Sequence, residues 1–206
     1  AKAVREAVLQ GKEVLFYKAG RTPEGKTATS GHTASIAGDY MVCESCISQA
    51  GAMVASTFTS FEGLFRLSNA LHHKTVSGNR LAAVSNAGYE AVGMADNILG
   101  EDYKLEMASL TAETMKTLMR IMKEVELQNL VNIKNPMDLT PMASEVVYEA
   151  VIQAFLEDPY VDVVIAAVVP LTPLIHALPG DGIPEKSLDS EKSITSRISR
   201  LAAQFN

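Results

Sequence analysis

The fold of the chain is decided by the stretch Arg80-Leu81-Ala82-Ala83-Val84-Ser85-Asn86-Ala87-Gly88. The short apolar run in its first half is typical of a strand that is buried on both faces of a parallel sheet. The small polar turn at residues 85–88 leads into a helical pattern that continues to about Leu99. A buried strand that turns directly into a helix predicts one βα unit of an α/β domain.

The same alternation of short apolar runs and helical patterns continues on both sides of this unit. Further strands are predicted at residues 14–17, 52–54, 104–108 and 161–169. Further helices are predicted at residues 1–10, 33–49, 60–71, 111–126, 144–157 and 189–205. Polar residues predict loops at 18–32 and 135–140. Strands that alternate with helices indicate doubly wound parallel sheets, so the predicted fold class is α/β.

A polar break at residues 72–79 divides this pattern into two predicted subdomains, 1–74 and 75–206. The first supplies about two strands, which are too few for a parallel sheet covered on both faces. The chain also begins within one helical pattern and ends on another. We therefore expect an internal piece of a longer polypeptide, with the first subdomain, and by the same reasoning the second, truncated.

Composition excludes several classes of protein. The 206 residues are 47% hydrophobic and 20% charged, which is typical of a globular protein. The net charge is −6 and no stripe of Lys and Arg is present, which argues against a nucleic-acid partner. The longest apolar run is far shorter than the roughly 20 residues of a membrane helix. Cys43 and Cys46 do not form a disulfide framework, so we expect a cytoplasmic protein with no membrane partner.

Two segments carry residues that are suited to chemistry. His32 lies among small residues in the predicted loop after a buried strand, where an imidazole can reach a cleft and act as nucleophile or base. The alternative is a solvated histidine that makes local hydrogen bonds. The turn at Asn86, Ala87 and Gly88 opens a helix, and a helix N-terminus is a ready anion site. The alternative there is an ordinary tight βα connection. The Cys43-x-x-Cys46 pair falls inside a predicted helix, which disfavours a redox role.

These segments together resemble a known family, the acyl-CoA synthetases that form ADP or GDP, relatives of succinyl-CoA synthetase. Its members carry motifs similar to K-A-G-R-(S/T), S-H-T-G-A-L-A-G, N-A-G-G and N-P-x-D-L. This chain has the corresponding segments in the same order: Lys18-Ala19-Gly20-Arg21-Thr22, Gly31-His32-Thr33-Ala34-Ser35-Ile36-Ala37-Gly38, Asn86-Ala87-Gly88-Tyr89 and Asn135-Pro136-Met137-Asp138-Leu139.

The resemblance implies two flavodoxin-like subdomains and a ligase that converts acyl-CoA, nucleoside diphosphate and phosphate to carboxylate, CoA and nucleoside triphosphate. His32 would be the catalytic residue that becomes phosphohistidine. Phosphate would be bound near Gly31, Thr33, Asn86, Ala87 and Gly88. The substrates would be CoA, a small acyl compound and ADP/ATP or GDP/GTP, with Mg²⁺ in a separate ATP-grasp domain and no metal in this chain. The partners would be the CoA-binding and ATP-grasp domains or subunit, and the oligomeric state stays open.

The chain also departs from the family pattern. Gly31 replaces a serine, Ala34 and Ser35 replace Gly-Ala, and Tyr89 replaces the second glycine of the turn. These changes favour an alternative, a ligand-sensing or docking module that has lost catalysis, as in some relatives fused to an acetyltransferase. In either case we expect this segment alone to be inactive, because the domains that bind CoA and nucleotide lie outside it.

Overall fold

The computed structural model describes residues 1–33, 38–100, 103–170, 172–175 and 190–205, and for residues 29–33 the backbone alone. The chain forms two compact units, Ala1–Lys74 and Thr75–Asn206. We call them unit 1 and unit 2 and describe each by itself.

Unit 1 is built around two parallel strands, β1 (Leu15–Tyr17) and β2 (Met53–Ala55). They pair in the register Leu15↔Met53 to Tyr17↔Ala55. The helices that the structure describes in this unit are α1 Lys2–Leu9, α2 Pro23–Thr33, α3 Tyr40–Gln49 and α4 Phe58–Leu71. The helix predicted from Thr33 therefore begins, in the described residues, at Tyr40, where the Asp39 side chain accepts a hydrogen bond from the Val42 amide.

The predicted loop at residues 18–32 is wrong, because most of it is helix α2. The helix begins at Pro23, a residue favoured at the first helical position. The hydroxyl of Thr22 caps it by accepting a hydrogen bond from the Gly25 amide at 3.1 Å, and Glu24 adds a negative charge to the first turn. These start signals were present in the sequence, but the Gly, Thr and Ser residues that follow are typical of a loop and led to the wrong prediction.

Burial in unit 1 is incomplete among the described residues. All three residues of β1 are only partly buried, since the sheet has two strands among the described residues. On α4, the side chains of Phe58, Phe65 and Leu67 are more than half exposed. The continuous apolar run at residues 14–17 indicated a strand correctly, but not a strand covered on both faces.

In its described residues, unit 2 holds a four-stranded parallel sheet and four helices. The strands are β3 (Arg80–Ser85), β4 (Glu106–Met107), β5 (Met137–Asp138) and β6 (Val163–Ala166), and the helices are α5 (Gly88–Asp96), α6 (Ala112–Glu124), α7 (Glu145–Leu156) and α8 (Ile194–Gln204). β3 pairs with all three other strands, and its residues 81–85 are buried as predicted.

The two edges of β3 carry different neighbours. The carbonyls of Leu81 and Ser85 accept hydrogen bonds from the residues that follow β4 and β5, at 2.8 Å each. The carbonyls of Arg80 and Val84 accept them from the residues that flank β6, at 2.8 and 2.9 Å. Alternate residues of a strand direct their main-chain groups to opposite edges. β4 and β5 therefore lie one after the other along one edge, and β6 lies along the other.

The segment at 135–140, predicted as a loop, contains the short strand β5 and a side chain that completes the sheet. Between β4 and β5, the Asn135 amide group takes the place of a neighbouring strand. Its Oδ1 accepts from the Ala83 amide at 3.0 Å, and its Nδ2 donates to the carbonyls of Leu81 at 2.7 Å and Ala108 at 3.0 Å. The peptide bond that follows Asn135 is cis. The asparagine of the N-P-x-D-L motif is therefore a structural residue.

The core of unit 2 lies between the sheet and helices α6, α7 and α8. Its fully buried large side chains come from both layers, and they include Val84, Leu118, Met122, Met137, Leu139, Tyr148, Val151 and Phe155. Burial of apolar surface stabilises a folded protein by about 25 cal/mol per Å², so this cluster is the main stabilising element of the unit. It holds β3 in place, and β3 positions the turn described next.

Candidate functional site

The candidate site of unit 2 is a crevice at the carboxyl ends of its strands. There β5 pairs with one edge of β3 and β6 pairs with the other, so the order of the strands in the sheet reverses at β3. Parallel α/β sheets bind ligands at such a switch point, outside the carboxyl ends of the strands. The predicted turn at residues 85–88 lies at this end of β3, directly before α5.

Asn86 is fully buried and ties the end of β3 to the segment that follows β6. Its Oδ1 accepts from the Val169 amide at 2.8 Å, and its Nδ2 donates to the Val169 carbonyl at 3.2 Å and to Thr172 Oγ1 at 3.0 Å. Every polar atom of this side chain is thus engaged in the protein itself. The Asn86 side chain therefore has a structural role at one wall of the crevice, and the expected phosphate-binding role of this residue stays a prediction.

The neighbouring serine changes which main-chain amides are open to a ligand. Ser85 is fully buried, and its hydroxyl donates to Glu90 Oε2 at 2.6 Å while accepting from the Ala87 amide at 3.0 Å. The Ala87 amide, an expected phosphate donor, is therefore already engaged. Ala87 is the N-cap of α5 and provides no side-chain cap, so the amides of Gly88 and Tyr89 in the first turn are the donors left for an anion.

Gly88 is needed because a carboxylate lies against it. A Cβ at this position would lie 2.8 Å from Asp138 Oδ2, closer than side chains tolerate. The other oxygen, Oδ1, accepts from the Thr140 amide at 2.9 Å, so Asp138 also orders its own turn. The carboxylates of Asp138 and Glu90 thus lie beside the N-terminus of α5, and the helix dipole favours negative charge at that position. A bound anion would compete with them.

Two tyrosines border this region with opposite exposure. Tyr148 is fully buried, and its hydroxyl donates to the Ala167 carbonyl at 3.0 Å. Burial raises the pKa of the Tyr148 phenol, and the nearby Glu90 and Asp138 carboxylates act in the same direction. Tyr89, the residue that replaces the second glycine of the motif, is 90% exposed on the first turn of α5. It extends outward and does not fill the crevice.

The expected catalytic residue belongs to unit 1. The backbone of His32 lies in the last turn of α2, with Gly31 and Thr33 beside it. The side chains of His32 and Thr33 lie outside the described part of the structure, and so do the whole residues Ala34 and Ser35. Their roles stay predictions. Cys43 and Cys46 are free thiols inside α3. The described residues contain no group of three His, Cys, Asp or Glu side chains that could hold a metal.

The fold and this crevice define the class of protein. It is an α/β protein with parallel sheets, whose two sheets are consistent with flavodoxin-like subdomains. A crevice at a switch point with a helix N-terminus is suited to anionic ligands. Among the described residues, no helix has the length and apolar character needed to cross a membrane.

Comparison with known proteins identifies the family. Residues 1–71 match the succinyl-CoA ligase like flavodoxin domain. The chain is 32% identical over 179 residues to the alpha subunit of the ADP-forming acetate–CoA ligase II of Pyrococcus furiosus, covering 84% of this chain and 37% of the relative. It is 30% identical over 167 residues to the ADP-forming acetate–CoA ligase I of Archaeoglobus fulgidus, covering 81% of this chain and 23% of the relative.

A solved structure gives the same result for the fold. The dinucleotide forming acetyl-coenzyme A synthetase 1 of Ca. Korarchaeum cryptofilum, in complex with phosphate and ADP, superposes with a TM-score of 0.66 at 26% identity, covering 98% of this chain and 39% of that chain. The resemblance is confirmed: the chain carries the succinyl-CoA ligase-like flavodoxin domain of the ADP-forming acetyl-CoA synthetase family. It spans less than two fifths of the length of these relatives.

Proposed function

We propose that this chain is the phosphate-handling part of an ADP-forming acyl-CoA synthetase and that His32 relays the phosphoryl group. The observation that carries the proposal is the similarity to ADP-forming acetate–CoA ligases over more than four fifths of the chain. The family match over residues 1–71 includes His32. The nucleotide and CoA are substrates that other parts of the full-length protein would bind.

The relay consists of two transfers with balanced bonds. A neutral imidazole nitrogen of His32 attacks the phosphorus of an acyl phosphate, so that an N–P bond forms and the P–O bond to the carboxylate breaks. An oxygen of the terminal phosphate of ADP then attacks the same phosphorus, the N–P bond breaks, and ATP is released. Main-chain amides directed at the phosphorus would stabilise the phosphoryl oxygens during these transfers.

Labelling of the full-length protein tests the relay. We expect incubation with ATP labelled at the γ-phosphate to give an acid-labile, base-stable phosphoprotein, and His32→Ala to abolish the label. His72→Ala is the matched control, because His72 is an exposed histidine at the end of α4, and it should keep the full label. Absence of label on the wild-type protein, or undiminished label on His32→Ala, would show that the relay does not use this residue.

A second candidate function is a ligand-sensing or docking module without catalysis. Two observations favour it: the Ala87 amide is taken by Ser85, and the carboxylates of Glu90 and Asp138 lie beside the N-terminus of α5. Both reduce the capacity of the turn to hold a phosphoryl group. Steady-state formation of acyl-CoA by the full-length protein would eliminate this candidate, while an unlabelled protein that still binds CoA or nucleotide would support it.

A further inference from the structure

Unit 1 contains a cleft that none of the roles above uses. Its volume is about 740 Å³, within the range of small-molecule sites. Its lining comes from the segments that begin α2 and α3, and the residues are Gly20, Arg21, Thr22, Pro23, Lys26, Asp39, Tyr40, Met41 and Glu44. The cleft therefore lies where two helices start, within one unit of the chain.

Both helices direct their positive ends to this cleft. In α3 the Asp39 side chain accepts from the Val42 amide at 3.1 Å. Within the described part of the chain, the amides of Tyr40 and Met41 have no partner and remain for solvent or a ligand. In α2 the Thr22 hydroxyl accepts from the Gly25 amide. Unsatisfied amides and the helix dipole together favour an anion at such a position. Two N-termini at one cleft add their fields.

A buried hydroxyl without a partner is the independent sign of a ligand. Tyr40 lines the cleft and is 8% exposed, and its hydroxyl makes no hydrogen bond among the described residues. Buried polar groups are nearly always hydrogen-bonded, so an orphan of this kind needs an explanation. Burial raises the pKa of the Tyr40 phenol, and the Glu44 carboxylate raises it further against the opposing effect of Arg21. The group therefore stays protonated at neutral pH and is a donor.

The charged side chains around the cleft determine which charge a ligand must carry. Arg21 is exposed and makes no ion pair with a described residue, and Lys26 supplies a second cation to the lining. The Asp39 side chain caps α3, and the Glu44 carboxylate in the lining would repel a bound anion. Guanidinium groups bind phosphate with paired hydrogen bonds, which a hydroxyl and main-chain amides complement.

We propose that this cleft of unit 1 binds a phosphate group, held by Arg21, the Tyr40 hydroxyl and the amides at the start of α3. The phosphate can come from free inorganic phosphate, from ADP or from CoA, and the chemistry of recognition is the same for all three. The inference deepens the proposed function by naming a second phosphate position, and it needs no phosphorylation of His32.

Methyl NMR of the full-length protein locates the binding. Met41 lines the cleft and is largely exposed, so its methyl signal, assigned with Met41→Leu, reports a ligand there. Inorganic phosphate, ADP and CoA are titrated separately. We expect a saturable shift with at least one of them, a roughly tenfold weaker affinity in Arg21→Gln, and an unchanged affinity in the control Arg66→Gln, which removes an exposed cation from α4.

Two further variants distinguish phosphate binding from a general charge effect. Tyr40→Phe should weaken binding about fivefold and at the same time raise the unfolding temperature of the unliganded protein, because an unsatisfied buried hydroxyl is removed. Glu44→Gln should tighten binding severalfold, whereas a site for cations would respond in the opposite way. A Met41 signal that none of the three ligands shifts, or affinities that ignore Arg21 and Tyr40, would overturn the proposal. His32→Ala should leave the titration unchanged, so failure of the labelling experiment and failure of this one are separate results.

Discussion

Replacing Asn135 with alanine should destabilise unit 2 by about 3–5 kcal/mol. The side chain fills the gap between β4 and β5 with three hydrogen bonds to the main chain, at 2.7–3.0 Å. Its loss leaves the Ala83 amide in the fully buried centre of the sheet without a partner, and an unsatisfied buried donor costs about 1–3 kcal/mol. The two bonds donated to carbonyls contribute about 1 kcal/mol each.

The loss is large compared with the whole stability of a domain, about 5–15 kcal/mol. Urea unfolding followed by far-UV circular dichroism should therefore show a clear drop in the midpoint. Asn132→Ala is the matched control, because Asn132 is an exposed asparagine three residues earlier in the same connection. Its effect should stay within about 0.5 kcal/mol.

A second substitution tests the direction of the hydrogen bonds. In Asn135→Asp one carboxylate oxygen can still accept from the Ala83 amide, but the other would face the carbonyls of Leu81 and Ala108. We expect this variant to be at least as unstable as Asn135→Ala at pH 7 and to recover partly when the carboxyl is protonated. A free energy of unfolding for Asn135→Ala within about 1 kcal/mol of the wild type would refute the structural role of this side chain.

Three further predictions concern unit 2. Gly88→Ala should destabilise it by about 1–3 kcal/mol through the contact with Asp138, and a double-mutant cycle with Asp138→Ala should recover most of the loss. Arg80 lowers the pKa of Asp162 to about 2 through paired hydrogen bonds, so this pair stabilises the fold above about pH 4 and the contribution disappears as the pH falls through 2. Acid unfolding of Asp162→Asn should therefore be less steep over that interval than in the wild type. Tyr148→Phe should lower the free energy of unfolding by about 1–2 kcal/mol, measured in urea, because the carbonyl that follows β6 loses its partner.

The elements that the sequence predicted well share a strong local signal. The apolar run of β3 is long enough to identify a buried strand. The helix predicted from residue 111 is α6, and the hydroxyl of its N-cap Thr111 accepts from the Thr114 amide. The helix α2 was missed because residues 18–32 have the polar composition of a loop, although Thr22 and Pro23 are typical of a helix start. β5 has two residues, too few for any periodicity.

The site was predictable only in outline. The turn at residues 85–88 follows from a strand that passes into a helix, and the structure has that turn between β3 and α5. The role of Asn86 depends on partners 83 and 86 residues away, and no local pattern encodes them. The same holds for Asp138 against Gly88 and for the orphan hydroxyl of Tyr40. Local chemistry indicates where a ligand site lies, while long-range packing decides which of its atoms remain open.

The central position of β3 has a consequence for how unit 2 is made. Contacts of this strand and of the residue before it join positions that are 25, 52 and 82 residues apart in the chain. Such pairings close long loops, so unit 2 should fold slowly. During synthesis the apolar β3 segment leaves the ribosome well before β6 is available to cover its edge. Nascent chains would carry an unpaired, aggregation-prone strand for that interval, and chaperones that bind short apolar segments would meet it first.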